Sequence, residues 1–356
     1  GDSRASMGVH ELAPRLRRRS FMQRAVTWDW WAEVAPRTLR ALVFGLVNTI
    51  MCVPWAYGYA SVIFAQAVYK AYMPALCKLV LFSCAMHQLV FSVGSGLPFA
   101  IGQVQDAGLI FLAHMARNIA HRTADQSPET TVATAVVCTA LSTALLGLAL
   151  VVFGRLRWAR FVSYLPVPVI GGYLAFIGFF CIEAGLGLCV GQSLSKPEAW
   201  LSLLEPKNLI LTIPCVATGL LFMLVGRWAD HPAPLPVSMC VVPGLFYVWL
   251  WLSGSTLDEA RSFGWLENSM EPADPKDVAG LFQWSLVQWS ALPEEFPIWL
   301  GMVFVVSFSS CLDVAAIEMD MGKPLNKNRE LLTVGWSNIL SGLTGGFSGS
   351  HIFSPT

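Results

Sequence analysis

The chain has 356 residues, of which 55% are hydrophobic and only 13% are charged, and its 23 basic and 23 acidic side chains cancel. A soluble protein carries roughly 25% charged residues, so this composition argues against a water-soluble fold, and the zero net charge argues against a nucleic-acid partner. The nine cysteines show no CxxC spacing and the histidines form no HExxH motif, so we expect neither a metal site nor a cofactor.

The first 37 residues are predicted to form a cytosolic tail. Seven arginines lie between positions 15 and 40, and Trp28, Trp30 and Trp31 shortly precede the first apolar run. Arginine excess marks the cytoplasmic side of a membrane protein, and tryptophan favours the interface, so we place the N-terminus in the cytosol. Because the chain starts at Gly1 and stops inside an apolar run, we also expect a fragment truncated at both ends.

Long runs without a charged residue recur along the chain, and about 20 apolar residues suffice to cross a membrane. Together with the other mostly apolar stretches, they predict nine helices, near 39–65, 73–95, 103–118, 130–153, 162–189, 207–226, 235–252, 297–320 and 331–345, with a tenth beginning near 348. The expected fold class is therefore all-α and polytopic. Basic loops then fall on the inner side and the acidic loop 253–296 outside. The loop with Arg117 and Arg122 departs from this charge pattern, because the same topology places it outside.

Two segments are interrupted by Gly, Pro and small polar residues, at 97–108 (LPFAIGQVQDAG) and at 341–355 (SGLTGGFSGSHIFSP). Unpaired backbone groups cost several kcal/mol in lipid, so such breaks are tolerated only inside protein or beside a watery cavity. The first break falls in the third segment. The second break falls in the third segment when the count starts at the eighth. This spacing predicts two repeats of about seven helices, the second one cut off, with a transporter's binding site at the breaks.

Helices that restart at about Asp106 and Ser348 would point their N-termini toward the middle of the membrane. Each end carries roughly half a positive charge and free N–H groups, which together suit an anion. The polar residues of the breaks add further donors, and Asp106 is expected to cap the restarted helix. The predicted substrate-binding residues at the breaks are Gln103, Gln105, Asp106, Ser348, Gly349 and Ser350. The alternative is that Gly and Ser merely let helices pack closely.

Three further residues are candidates for the site. A carboxylate at a helix centre costs about 2.5–3.5 kcal/mol, so Asp313 is predicted to bind a coupling Na⁺ or H⁺, or else to pair with a cationic substrate. His351, in the second break, is a candidate proton carrier or substrate donor. Tyr57 lies in VPWAYGY (53–59), where Pro54 and Gly58 are predicted to break the first segment so that the aromatic residues line the pocket. The alternative for this motif is an aromatic packing cluster.

The stretch 312–350 resembles the SulP sulfate permease and anion exchanger family. That family places an acidic residue in its eighth helix, followed by a D-P-N-x-E-L-type turn, a G-x-x-N helix and a small-residue start to its tenth helix. The corresponding positions here are Asp313, the run Asn326–Leu331, Gly335 with Asn338, and Gly349 with Ser350. The stretches 164–176 (YLPVPVIGGYLAF) and 53–60 (VPWAYGYA) resemble its fifth and first helices. The resemblance runs over about 39–356.

The resemblance implies a fourteen-helix fold of two inverted repeats, in which a core domain carries substrate against a gate domain, between the third and tenth helices. About ten of these helices would be present, in one incomplete transmembrane domain over 38–356, without the family's STAS domain. It implies secondary active transport of inorganic or small organic anions, sulfate above all. The amino-acid sequence of 312–350 is most similar to a fungal-type vacuolar branch of the family that is linked with basic amino acids. Basic amino acids are therefore the rival substrate.

The expected partners are the lipid bilayer, the transported ion or small molecule, a coupling Na⁺ or H⁺ and a second copy of the chain as a homodimer. The expected membrane is the plasma membrane or a vacuolar or other endomembrane. An enzymatic alternative comes from GFSG at 346–349, which fits the G-x-S-G pattern of intramembrane serine proteases. Ser348 would then need a histidine within hydrogen-bond reach, and His351 is the nearest one. We predict that the chain is not an enzyme.

Overall fold

The computed structural model describes residues 28–97, 100–159, 167–194, 196–228, 233–322 and 324–352. Most of the predicted tail therefore lies outside the described residues. The chain divides into two compact units, residues 1–51 and residues 52–356. The first helix, α1, covers Trp28–Ile63 and thus begins well before its predicted start near 39. The described part of the first unit is entirely helical.

Eleven further α-helices, eight long and three short, follow one another along the described part of the chain. They are α2 (Met73–Gly94), α3 (Asp106–Arg122), α4 (Pro128–Arg155), α5 (Val167–Val190), α6 (Pro197–Leu201), α7 (Pro206–Trp228), α8 (Pro234–Ser253), α9 (Leu257–Phe263), α10 (Pro275–Gly280), α11 (Phe296–Met321) and α12 (Lys327–Leu343). Each of the nine predicted segments corresponds to one long helix. Two short strands, β1 (Gly102–Val104) and β2 (Gly349–His351), complete the described structure.

Six stretches of the described chain are long and apolar enough to cross a membrane. They are Ala41–Ile63, Ala67–Gly94, Pro128–Arg155, Pro206–Trp228, Pro234–Ser253 and Trp289–Glu318. Large apolar side chains cover the outside of α7 and α8; on α8, Leu245 is 62% exposed and Trp251 is 80% exposed. A helix that is hydrophobic all round suits lipid rather than water. The predicted all-α polytopic membrane fold is confirmed.

Helices α4 and α12 run antiparallel and touch through their backbones. A Cβ atom built on Gly147 would lie 2.5 Å from the backbone N of Ile339 and 2.6 Å from the carbonyl O of Gly335. Near the end of α4, a Cβ on Gly154 would lie 3.1 Å from the carbonyl O of Asn328. Small residues at such an interface allow close van der Waals packing, which holds membrane helices together where lipid removes the hydrophobic driving force.

The loop after α3 and the long connection before α11 meet on one side of the bundle. Arg122 forms an ion pair with Glu294 and a second one with Glu295, whose Oε1 lies 3.7 Å from the arginine Nε. Asn118 Nδ2 donates to Glu295 Oε2 at 3.2 Å, and Glu295 is only 1% exposed. The loop after α3, which did not fit the predicted charge pattern, therefore has its Arg122 paired with acidic residues of the loop 253–296. This pairing is expected if both loops lie on the same side of the membrane.

Two predictions about the helices are wrong. α1 continues without interruption through Pro54 and Gly58. A proline removes only one backbone hydrogen bond, and neighbouring groups can compensate for it inside a membrane helix. The second break does not restart as a helix at Ser348, because the next residues form β2. The rest of the predicted tenth helix lies on 353–356, outside the described residues.

Candidate functional site

The two breaks meet as a small antiparallel ribbon. β1 pairs with β2 in the register Gly102 with His351, Gln103 with Ser350 and Val104 with Gly349. The pairing extends at both ends, since Gln105 N donates to Ser348 O at 3.1 Å and Ile352 N donates to Ile101 O at 3.0 Å. The ribbon thus satisfies the backbone groups that the breaks release, which permits irregular backbone at membrane depth.

One face of the ribbon points at α11. Side chains alternate along a strand, and Gln103 and Ser350 share this face. Ser350 Oγ donates a hydrogen bond to Ser310 Oγ at 2.8 Å. Just beyond β1, Gln105 Nε2 donates to Ser309 Oγ and to Asp313 Oδ2, both at 2.8 Å. The structure therefore brings predicted residues of the first break, the second break and the eighth segment together against α11.

Helix α3 starts at the end of this ribbon. Gln105 occupies its N-cap position without a side-chain capping bond, and Asp106 is the first helical residue. The Asp106 carboxylate accepts a hydrogen bond from Ala107 N at 2.8 Å. The predicted cap is thus displaced by one residue, although the carboxylate still lies at the positive end of the helix. Ser348 lies against the same first turn, directly over Gly108.

Two buried polar atoms at this helix start have no hydrogen-bond partner among the described residues. They are Ser348 Oγ and Gln105 Oε1. Leaving a buried polar group unpaired costs about 1–3 kcal/mol, so a polar solute or water that bonded to these atoms would be stabilised there. Both atoms lie next to the N-terminal turn of α3, where anions are also attracted.

Polar side chains on α2 and α12 hold the other face of the second break. Asn338 donates through Nδ2 to Gly349 O at 2.7 Å and accepts from Gly349 N at 3.0 Å. Ser83 Oγ accepts from Phe347 N at 3.0 Å, and His87 Nε2 lies 2.9 Å from Phe347 O. A Cβ on Gly349 would lie 2.5 Å from His87 Nε2, so this position requires glycine. The substrate-binding role predicted for Gly349 thus stands beside a clear packing role.

Glu330, the acid in the first turn of α12, was not predicted to be a site residue. It is 1% exposed and accepts hydrogen bonds from Ser95 Oγ and Gly96 N, both at 2.7 Å. Its Oε2 also lies 3.1 Å from His351 Nε2. The signal in the sequence is that Glu330 is the last charged residue before the uncharged end of the chain, within the Asn326–Leu331 turn.

The ribbon separates His351 from Asp313, although we predicted proton or coupling-ion roles for both. His351 pairs with Gly102 on the face turned to α2, where its ring packs edge-on against Phe91 with 4.3 Å between ring centroids. Asp313 lies on α11, on the opposite side. Tyr57 lies on α1 and is 42% exposed.

Two interrupted segments that pair with each other inside an all-α polytopic membrane bundle are typical of a transporter fold. Residues 39–356 match the sulfate permease family. The match covers most of the chain, and the chain belongs to this family.

Known relatives are similar over large parts of this chain. The vacuolar basic amino acid transporter VSB1 of Saccharomyces cerevisiae is 26% identical over 322 residues, which are 86% of this chain and 30% of the relative. The bicarbonate transporter BicA of Synechocystis is 25% identical over 215 residues, 57% of this chain and 35% of the relative. The chain thus spans about a third of the length of these relatives.

The solved transmembrane domain of a cyanobacterial bicarbonate transporter, BicA, has the same fold. Its TM-score against this chain is 0.61 at 18% sequence identity, and the match covers 88% of this chain and 74% of that one. The likeness extends to the architecture and carries no information on substrate.

The protease alternative is not supported. Within the described residues Ser348 Oγ has no hydrogen-bond partner, and His351 bonds to Glu330 instead. Because Ser348 and His351 are three residues apart across a strand, their side chains leave it on opposite faces. A serine nucleophile needs its base within hydrogen-bond reach, and this arrangement does not provide one.

Proposed function

We propose that the chain is the membrane part of a secondary active transporter that carries inorganic or small organic anions, sulfate-type anions first. The observation that carries the proposal is the cluster at the start of α3, where Gln105 joins Asp313 and Ser309 while Ser348 Oγ and Gln105 Oε1 have no partner among the described residues. The solute would bind between α3 and the second break. Movement of α3 together with the second break would carry the solute across the membrane.

The local chemistry of the cluster suits an anion. The N-terminal turn of α3 offers backbone N–H groups that have no partner within the helix and a partial positive charge, and the Ser348 hydroxyl lies beside it. The family is named for sulfate permeases and a relative for bicarbonate, which supports the same class of substrate. We assign Gln103, Gln105, Ser348, Gly349 and Ser350 to substrate binding on this ground.

Coupling is assigned to Asp313. Its carboxylate is half-buried on a membrane-spanning helix and receives one hydrogen bond from Gln105. A coupling Na⁺ or H⁺ would offset the cost of a charge at this depth. No cluster of three His, Cys, Asp or Glu side chains suited to a metal occurs within the described ranges. His351 remains a proposed proton carrier.

A second candidate substrate is a basic amino acid. Asp106 and Asp313 place two carboxylates near the proposed site, and neither forms a salt bridge within the part of the chain that the structure describes. Two unpaired carboxylates favour a cation over an anion. A relative named as a vacuolar basic amino acid transporter supports the same candidate. Tyr57 would contribute to the wall of the site for this larger solute.

The setting of the protein follows from the same proposal. We place residues 1–37 in the cytosol and assign 38–356 to one transmembrane domain. The membrane is the plasma membrane or an endomembrane, for which the vacuolar relative is the supporting observation. A homodimer is the proposed assembly.

Uptake by the full-length protein in proteoliposomes tests the function. Labelled sulfate, chloride, bicarbonate and arginine are supplied in turn, with and without Na⁺ and proton gradients. Gradient-driven uptake of an inorganic anion supports the first candidate, and uptake of arginine alone supports the second. Absence of gradient-driven uptake for all four solutes contradicts both.

A further inference from the structure

The pair formed by Glu330 and His351 lies outside the proposed solute site and connects the two breaks. Glu330 binds Ser95 and Gly96, which immediately precede the first break, and it binds His351 at the end of β2. One carboxylate therefore connects one end of each interrupted segment. Both side chains of the pair are fully buried.

The surroundings of Glu330 indicate an ionised carboxylate. It accepts from a hydroxyl and a backbone N–H, two bonds that favour the charged form, and its Oε2 lies beside an imidazole nitrogen. A single buried charge is costly unless it is paired. A proton on His351 supplies the compensating charge, so the pair is strongest when the imidazole is protonated.

Other charged and titratable groups near the pair are few. On α12, the guanidinium of Arg329 comes within 3.9 Å of the position that a Gly96 Cβ would take, but Arg329 is exposed and its charge is screened by solvent. On α2, His87 bonds to Phe347 O and Ser337. On α11, Asp313 lies across the ribbon. His351 is therefore the closest partner that can balance Glu330.

Movement of the ribbon would change the solute site. Ser350 and Ser348 belong to the same segment as His351, and they contact Ser310 on α11 and the first turn of α3. We propose that Glu330 and His351 form a protonation-dependent clasp, and that Glu330 acts through it as a positioning residue of the transport site. The clasp itself is independent of which solute is carried, and only its effect on transport rests on the function proposed above.

Hydrogen exchange on the purified full-length protein tests the clasp without any transport. Exchange of peptides covering 345–352 is measured at about pH 5.5 and about pH 8 and is corrected for intrinsic exchange rates. In the unmodified protein we expect about tenfold greater protection at the lower pH, the size expected for one bond to a charged group. Glu330→Gln and His351→Gln should lose this difference between the two pH values.

Two controls keep the result decisive. Glu318→Gln removes a carboxylate that pairs with Lys327 at 3.1 Å rather than with His351, and should retain the normal pH difference. Ser95→Ala removes one donor to Glu330 without changing charge, so it should lower protection at both pH values and keep the difference. Should the unmodified protein show no pH difference, or should Glu330→Gln and His351→Gln keep it, the clasp is ruled out.

Transport adds a second readout. For the solute that the full-length protein carries, KM should rise with pH in the unmodified protein, and this rise should be absent in Glu330→Gln. If no solute is carried, the proposed function fails while hydrogen exchange still decides the clasp. If a solute is carried and Glu330→Gln keeps the normal pH profile of KM, the positioning role fails alone.

Discussion

At the scale of single residues, Gln105 joins the parts of the candidate site. Its backbone N–H bonds to Ser348, and its side chain reaches Ser309 and Asp313. It also occupies the N-cap position of α3. Because its amide nitrogen is taken up by α11, its buried Oε1 is left as an acceptor at the helix start. One neutral residue thus links both breaks to the carboxylate assigned to coupling, the second break through its backbone and the carboxylate through its side chain.

Replacing Gln105 by leucine should weaken solute binding. The change keeps the volume but removes the bonds to Ser309 and Asp313, and we expect KM to rise about tenfold, the effect of one or two lost buried hydrogen bonds. Uptake kinetics in proteoliposomes measure this. Gln283→Leu, in an exposed loop, is the matched control. An unchanged KM in Gln105→Leu removes Gln105 from the site.

Replacing Asp313 by asparagine should abolish coupling. Asparagine keeps the shape and can still bond to Gln105, but it holds neither the charge nor the exchangeable proton that a coupling ion requires. We expect loss of gradient-driven uptake, while exchange of solute without a gradient persists. Glu318→Gln, a carboxylate on the same helix, should behave as the unmodified protein. Gradient-driven uptake at the normal rate in Asp313→Asn would exclude this role.

At the scale of elements, the position of the ribbon depends on the contact of α4 with α12. α12 carries Asn338, which holds Gly349, and its position is fixed by glycine contacts with α4. Helix α12 therefore holds the second break through Asn338 and has no room for larger side chains where it packs against α4. The close helix contact sets where the ribbon lies, and so where the candidate site forms.

Gly147→Ala tests this dependence. The added methyl group would lie 2.5 Å from Ile339 N, so the two helices must separate, and we expect a loss of about 1–3 kcal/mol in stability. Thermal unfolding in detergent measures this as a lower Tm. Gly219→Ala on α7 is the control, because no atom lies within 4 Å of the added group. Equal Tm values for the two variants would show that the contact is looser than described.

At the scale of the whole transmembrane unit, charge at the loops agrees with the path of the chain. Arg122 pairs with Glu294 and Glu295, so the loop after α3 and the connection before α11 share one side. The end of α4 meets the start of α12 at Gly154 and Asn328, which groups the two opposite connections. Alternation of loops across the bundle follows from these contacts, independently of any count of arginines.

Cysteine labelling in sealed cells tests which side is which. Single cysteines at Gln126, Gln283 and Leu156, all exposed positions, are introduced into a variant without the exposed thiols Cys181 and Cys240. With the N-terminus in the cytosol, an impermeant thiol reagent outside the cell should label positions 126 and 283 but not 156, when the protein is directed to the plasma membrane. The reverse pattern would invert the proposed orientation.

Sequence by itself determined the membrane character and the order of the helices. Apolar runs with few or no charges predicted the long helices because each run meets its own solvation requirement locally, whatever its neighbours are. The two breaks were predictable for the same reason, since Gly-rich and Pro-rich backbone at membrane depth must find partners somewhere. The continuity of α1 through Pro54 was not predictable from the sequence, because compensation for a missing backbone hydrogen bond depends on what surrounds the helix.

Only the tertiary structure decided how the breaks satisfy each other. The ribbon joins residues that are about 250 positions apart, and its register puts Ser350 on one face and His351 on the other. Because of that alternation, His351 lies on the face away from Asp313 and contacts Glu330 instead. From composition alone, Glu330 would be expected at a solvated helix end. Spacing along the chain cannot reveal this, because the partner of a buried charge is set by long-range pairing rather than by local pattern.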